Sequence, residues 1–478
     1  MKVSSPWAWV PTLYLAEGIP YFLVNVVSVT MFKRLGMGNA ELALYTSLLY
    51  LPWVIKPLWS PLVDIFKSKR WWIVAMQALM WVAFAVLALT VLSYRTQHPL
   101  FVVILLLFYL AAFASATHDI AADGFYMLAL DAHNQSVFVG IRSTFYRIAS
   151  VFGQGGIIVL AGVLETRSGD IPRAWCLTLL CSAAVLALLN LWHAYALPKC
   201  EGRGDDATGG NPRCGEDSAA ESIQSGLDRS AGCNGESGPT RAGSDGAAEN
   251  ASSAASSGQA AEVKPSPKRS FIGVFASFFK KKNVWLTIAF LLLFRLPEAL
   301  SVKMLTPFML DAPENGGLGL STAQSGLVYG TAGIIALTVG GILGGLASAR
   351  WGLRKALWPM AMSLALPCAV YLLMSVVSLP LGAIYGCVVL DQFGYGFGFT
   401  AYMLYMMYFS EGEFKTAHYA ICSAFMALSM MLPGLVAGFI QEPLGYPGFF
   451  AVVMGCCLLT VAVTAFLPSR IDATYGRK

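Results

Sequence analysis

Apolar stretches near twenty residues long recur along almost the whole chain, at roughly 8–31, 41–63, 71–93, 100–130, 137–164, 174–197, 284–310, 322–349, 355–378, 381–410, 416–441 and 447–468. Each is long enough to cross a bilayer as a helix. In lipid every backbone N–H and C=O must be satisfied within the segment, so a chain built this way is expected to fold as an all-α bundle of twelve membrane helices. Composition agrees: of 478 residues, 56% are apolar and 12% charged, against about a quarter charged in soluble domains. A single water-soluble domain is excluded. The first stretch contains Glu17 and runs on to about Met31 with no small-residue cleavage site, so it reads as a span.

The twelve stretches fall six and six around a gap of another kind. Within 199–270, Gly, Ser and Ala supply 36 of 72 residues, no aromatic residue occurs, and Ile223, Leu227 and Val263 are the only large aliphatics. Such a segment buries too little apolar surface to offset chain entropy and reads as a disordered linker. Phe271, Ile272, Val274, Phe275, Phe278 and Phe279 follow it, ahead of Lys280, Lys281 and Lys282, a pattern expected of a short interfacial helix over 271–282. The organisation read from the sequence is therefore a six-helix bundle over 1–198, a cytoplasmic linker over 199–270, the interfacial helix, and a second six-helix bundle over 283–478.

Loop charges set the expected orientation. With both termini cytoplasmic, the inner side outside the linker holds eleven Lys and Arg residues and the outer side five, namely Lys33, Arg34, Arg95, Arg167 and Arg173. The net charge of +5 is small and dispersed, so no nucleic-acid partner is indicated. The ten cysteines lack paired spacing, which argues for neither a disulfide framework nor a zinc site. No nucleophile elbow, phosphate loop or zinc-type histidine pair points to an enzyme, and neither a cofactor nor a metal is expected. His98, His133 and His193 read as loop or interface residues, and His418 as a polar group at a cytoplasmic end.

The two halves repeat at a nearly fixed offset. Tyr126-Met127-Leu128 returns as Tyr402-Met403-Leu404, Ala161-Gly162 as Ala437-Gly438, and Pro20 as Pro297 one residue out of register. Two six-span repeats joined by a cytoplasmic linker are the plan of the major facilitator superfamily, with a substrate site between the halves. The loop after span two, Ser60 to Asp64 followed by Lys67, Lys69 and Arg70, and the loop after span eight, Gly345 to Lys355, both resemble that superfamily's cytoplasmic loop motif. Asp64, Arg70, Arg350 and Arg354 are thus expected to act as a charge latch between gating helices.

Charges inside spans cost at least about 2.5–3.5 kcal/mol each and are functional candidates by default. Glu17, Tyr21 and Asn25 stand four residues apart in span one, on one helical face. Asp119 and Asp123 share a face in span four beside His118; two carboxylates together in a low dielectric resist ionising at once, which suits a proton carrier. The alternative is that one of them pairs with Lys56 or Arg147 on a neighbouring helix and locks the bundle. Arg147 in span five and Arg295 in span seven present guanidinium forks suited to a carboxylate or phosphate. Arg142 reads as a cytoplasmic anchor, and Glu298 and Lys303 as a local ion pair. In span ten Asp391 and Gln392 precede Gly394, Tyr395, Gly396 and Gly398, a pattern that fits either a bending gate with an aromatic ring against a sugar or close helix packing with the rings as filling.

Gly18-Ile19-Pro20, the run KPLWSPLVD from Lys56, the run THDIAADG from Thr117, Tyr146-Arg147, and the run FRLPEA from Phe294 together resemble the AmpG-type permease family, with the acetyl-coenzyme A transporters as more distant relatives. The resemblance implies proton-driven import of cell-wall breakdown products, GlcNAc-1,6-anhydro-MurNAc with or without its stem peptide, across the bacterial inner membrane for peptidoglycan recycling. By matching, Lys56, Asp119, Asp123, Arg147, Arg295 and Glu298 fall on polar intramembrane positions of that family's pattern, whereas His118 stands where the family pattern has Gln. With the residues singled out above, the expectation is Asp119, Asp123 and Glu17 in proton coupling, and Arg147, Arg295, Lys56, Glu298, Tyr21, Asn25, His118, Asp391, Gln392 and Tyr395 around a glycan or glycopeptide. The expected partners are that solute, protons and the lipid bilayer, with the protein a monomer. Two other readings stand beside it: the same fold carrying an acyl-coenzyme A, amino-sugar or nucleotide-like anion, and a non-transporting membrane receptor or scaffold.

Overall fold

The computed structural model of the protein describes residues 5–94, 98–130, 132–198, 271–412, 414–472 and 475. The linker expected over 199–270 lies outside them. The described residues hold helices and no strand, in the order α1 (Pro6–Arg34), α2 (Asn39–Leu48), α3 (Leu51–Ile65), α4 (Lys69–Leu92), α5 (His98–Ala129), α6 (132–168), α7 (Ile171–Ala196), α8 (Phe271–Phe279), α9 (Val284–Leu310), α10 (Thr322–Trp351), α11 (Leu353–Val376), α12 (Leu381–Ser410) and α13 (Lys415–Ala465).

Their boundaries follow local chemistry. Ser68 and Asp170 accept the backbone N–H of Trp71 and Arg173 at 3.2 Å, capping α4 and α7. Ser321 and Gln324 form a capping box at the start of α10. Gly169, at φ 65°, ends α6 in the left-handed conformation. Lys281 donates to the carbonyl oxygens of Phe409 and Glu411, a cation at the C-terminal end of α12.

Nine helices among the described residues are long and apolar enough to cross a membrane, against the twelve expected, and the chain is a multi-pass membrane protein. The difference has physical causes. α13 is two helices joined at Gly445, which leaves helical geometry (φ 64°, ψ 178°) between Pro443 and Pro447, so one long stretch stands where two spans are expected. α2 and α3 are separate short pieces, and α12 is diluted by glycines and tyrosines.

Each half has its own apolar core. Phe84, Phe108 and Trp175 anchor the first, α1 to α7, and Phe290, Tyr402 and Phe294 the second, α9 to α13. The halves meet where side chains are missing. A Cβ on Gly330 of α10 would lie 2.0 Å from the Gln154 carbonyl oxygen of α6, and one on Gly162 of α6 would lie 2.3 Å from the Ala323 nitrogen. On the other flank, a Cβ on Gly438 of α13 would lie 2.3 Å from the Asn39 carbonyl oxygen, and one on Gly434 would strike the Ser47 hydroxyl. The repeated pair Ala161-Gly162 and Ala437-Gly438 therefore marks both flanks of the seam. Single π-helical stretches interrupt α1 (Leu23–Val27), α6 (Val151–Ile157) and α10 (Gly326–Gly333), and the last two face each other across it.

Candidate functional site

Between the halves lies a cavity of about 680 Å³. Glu17 and Tyr21 of α1 line it because they are one turn apart on the same face. Asn25, four residues further, does not: the π-helical stretch Leu23–Val27 rotates it away, and its amide donates to the Tyr21 carbonyl at 3.1 Å. Lys56 of α3 enters from one side and donates to Asp119 of α5. Asp123, one turn beyond Asp119, is bound by Arg142 of α6 at 2.7 Å and by the Tyr14 hydroxyl at 3.3 Å. Arg142 also stacks over the Tyr14 ring at 4.4 Å. It is thus a member of an ion cluster, which its place near the start of a span does not announce.

The carboxylates of Glu17, Asp119 and Asp123 lie within 4.8 Å of one another, on α1 and α5. His118 sits beside Asp119 in sequence but about 100° round the helix, so it turns into the first half's core. There it is fully buried and takes the Gln77 amide at 2.9 Å. Gln77 in turn meets His193, which reaches the Thr12 hydroxyl at 3.0 Å. His193 is accordingly a buried bridge among α1, α4 and α7 rather than a loop or interface residue. The side chains of His98 and His133 lie outside the described residues, and buried His418 meets Ser277 at 2.9 Å.

The second half contributes a closed pair. Arg295 donates to Glu298 at 2.9 Å and to the Tyr395 hydroxyl at 2.9 Å, with its guanidinium 4.8 Å from the Phe399 ring centre. The expected Glu298–Lys303 pair is not formed, because three residues place 295 and 298 on one helical face and five do not place 298 and 303 there. Lys303 instead donates to Thr46 of α2 at 3.1 Å and lies over the Tyr50 ring. Gln392 and Tyr395 line the cavity. Asp391 turns the other way, accepting the Tyr371 hydroxyl at 2.5 Å inside the second half.

Arg147 lines the cavity and, among the described residues, has no carboxylate partner; its guanidinium donates to the Thr338 hydroxyl at 3.5 Å. Phe399, Met403, Met407, Met426 and Met430 add apolar surface to the cavity, near Ser423 of α13. Methionine walls adapt to varied shapes.

The far end is shut by polar contacts between halves that have no local signal in the sequence. Lys33 pairs with Asp311 at 2.6 Å, and Asn39 donates to Gln441 at 2.7 Å and to Tyr446 at 3.0 Å. The Tyr446 hydroxyl donates to Asp311 at 2.5 Å, and the Ala40 N–H to Glu442 at 2.9 Å. On the other flank Glu165 gathers Arg34, Trp175 and Thr322 at 3.1, 2.8 and 2.6 Å. Of the expected latch, Arg70 caps α7 through the Leu197 and Ala194 carbonyls, while Arg350 and Arg354 are exposed. The Asp64 side chain lies outside the described residues.

The sequence profile of the Major Facilitator Superfamily matches residues 12–416. An anhydromuropeptide permease of Escherichia coli is 24% identical over 480 residues, covering 97% of this chain and 81% of that protein. Among solved structures, a bacterial homologue of the human lysosomal transporter Spinster, inward-facing and unoccupied, aligns with a TM-score of 0.65 at 14% identity over 98% of each chain. The nucleoside transporter NupG aligns at 0.63 and 14% identity, over 99% of this chain and 100% of that one. At such identities the structural likeness speaks to the fold.

Proposed function

This chain belongs to the Major Facilitator Superfamily, and we propose that it is a proton-coupled symporter that imports anhydromuropeptides across a bacterial inner membrane. The observation that carries the reading is the cavity between the halves, where Arg147 faces in unpaired across from carboxylates. An unpaired guanidinium suits the lactyl or stem-peptide carboxylate, the tyrosines and Phe399 suit sugar faces, and a volume of about 680 Å³ falls within the usual range for small-molecule sites. The similarity to the permease of Escherichia coli supports the choice of solute.

In this reading both termini and the linker are cytoplasmic, the protein works as a monomer, and the far end is the outer one. The structure then corresponds to a state closed outside and open inward. Inward release is followed by rocking of the halves about the glycine seam, with the Lys33–Asp311 and Glu165 contacts breaking to admit solute from outside. Asp119, Asp123 and Glu17 carry the proton coupling. The test is uptake by proteoliposomes under an imposed inward proton gradient: a labelled anhydromuropeptide should accumulate above its external concentration. Folded protein that binds the ligand yet shows no gradient-dependent accumulation would refute coupling, and folded protein that binds no such ligand would refute the substrate.

A further inference from the structure

We infer that Glu17 is the single proton-carrying residue of the coupling cluster, and that one proton moves per solute. The inference rests on the proton-coupled reading above and deepens it. Three carboxylates, Glu17, Asp119 and Asp123, stand within 4.8 Å of one another. Two cations touch them, Lys56 on Asp119 and Arg142 on Asp123. One negative charge is left over, in a place where an uncompensated charge is costly. One monovalent cation therefore completes the cluster, and two would overfill it.

Partners decide which carboxylate takes it. Asp119 holds an ammonium and Asp123 holds a guanidinium together with the Tyr14 hydroxyl, whereas Glu17 holds no cation among the described residues. Glu17 is 8% exposed, and its Oε2 is buried without a hydrogen-bond partner. The groups that face it are Tyr14 and Tyr21 on its own helix, Lys56 on α3, Asp119 and Asp123 on α5, and Arg142 and Tyr146 on α6. The Glu17 and Asp119 carboxylates stand close enough that two negative charges there repel, and a proton on Glu17 relieves that repulsion. A proton fits this site better than a metal ion, because Lys56 and Arg142 already occupy the Asp oxygens that a metal would need.

The step is a simple transfer. Hydronium on the outer side protonates the Glu17 carboxylate and leaves water, the neutral acid changes access together with the solute, and water on the inner side takes the proton back as hydronium while Asp119 keeps its bond to Lys56. The two aspartates act as positioning residues that hold the cations in place. This differs from a proton shared over the Asp119–Asp123 pair, which the spacing in span four alone would favour.

Proteoliposomes containing the full chain test it. Glu17→Gln should lose gradient-driven accumulation of the labelled anhydromuropeptide while exchange of internal for external ligand at equal pH stays measurable. Glu17→Asp, which restores a carboxyl, should regain part of the driven uptake. Driven accumulation by Glu17→Gln at the wild-type level would overturn the assignment. With the membrane potential clamped at zero, the accumulation ratio of the wild-type protein should rise about tenfold per unit of imposed pH difference, a readout independent of any variant. A hundredfold rise, or accumulation that follows a sodium gradient at equal pH, would also overturn it. Failure of the wild-type protein to accumulate ligand under any cation gradient would instead strike the symport reading itself.

Discussion

Both halves hold an arginine at the same distance from an equivalent tyrosine. Arg142 lies 5.8 Å from the Tyr126 ring centre and Arg295 lies 5.8 Å from that of Tyr402, the two tyrosines being matched in the internal repeat. Their counter-charges differ. Arg295 pairs with Glu298 on the same helix, one for one, with side chains 6% and 9% exposed. Arg142 belongs to a set drawn from α1, α3, α5 and α6 in which carboxylates outnumber cations. A balanced pair on one helix moves as a unit and can serve as a fixed frame for ligand. An unbalanced set spread over four helices changes both when a proton arrives and when the helices shift.

Removing one charge from each half breaks or sharpens that contrast. Glu298→Gln should have the largest effect on stability, about 3–5 kcal/mol, because it strands a buried guanidinium that cannot shed its charge. Thermal unfolding followed by tryptophan fluorescence reads this, and replacing Arg295 by Met in the same protein should recover most of the loss. Lys56→Met should cost less, about 1–2 kcal/mol, since Asp119 can neutralise itself by taking up a proton. The same change leaves one cation for three carboxylates, so the dependence of accumulation on the proton gradient should steepen from first to second order. A larger thermal loss for Lys56→Met than for Glu298→Gln would erase the distinction between the halves.

Arg147→Lys should weaken binding of the anionic solute about tenfold, near 1.4 kcal/mol, as a bidentate fork becomes a point charge. Isothermal titration in detergent measures it, and an unchanged affinity would move the anion contact to another group. Asp311→Asn should have the smallest effect, about 0.5–1 kcal/mol, because the Lys33 pair it breaks is partly exposed, at 14% and 17%. Its mark should be conformational: distances between spin labels at the Arg34 end of α1 and the Thr322 end of α10 should shift toward a longer population.

Legibility in the sequence followed the range of the interactions. Hydropathy shows the spans, and the Ala-Gly pair at 161–162 and 437–438 shows the repeat, because both are local patterns that survive packing. Asp119 and Asp123 were legible as a pair, being one turn apart on an unbroken helix. Asn25 was not, because a π-helical stretch leaves no mark in residue spacing. His118 was read with its neighbours when the 100° step per residue carries it into another interface. Arg142 and the Lys33–Asp311 bridge depend on partners distant in the chain, so the residues themselves give no sign of what they meet.

The glycine seam bears on how such a protein can change over time. At 162, 330, 434 and 438 even a methyl group would meet another atom at 2.0–2.3 Å, in three cases backbone. Those positions therefore admit no graded variation, while the methionine and tyrosine walls of the cavity can be altered one side chain at a time. New solutes can be acquired by repainting the walls, with the bearing on which the halves turn left as it is.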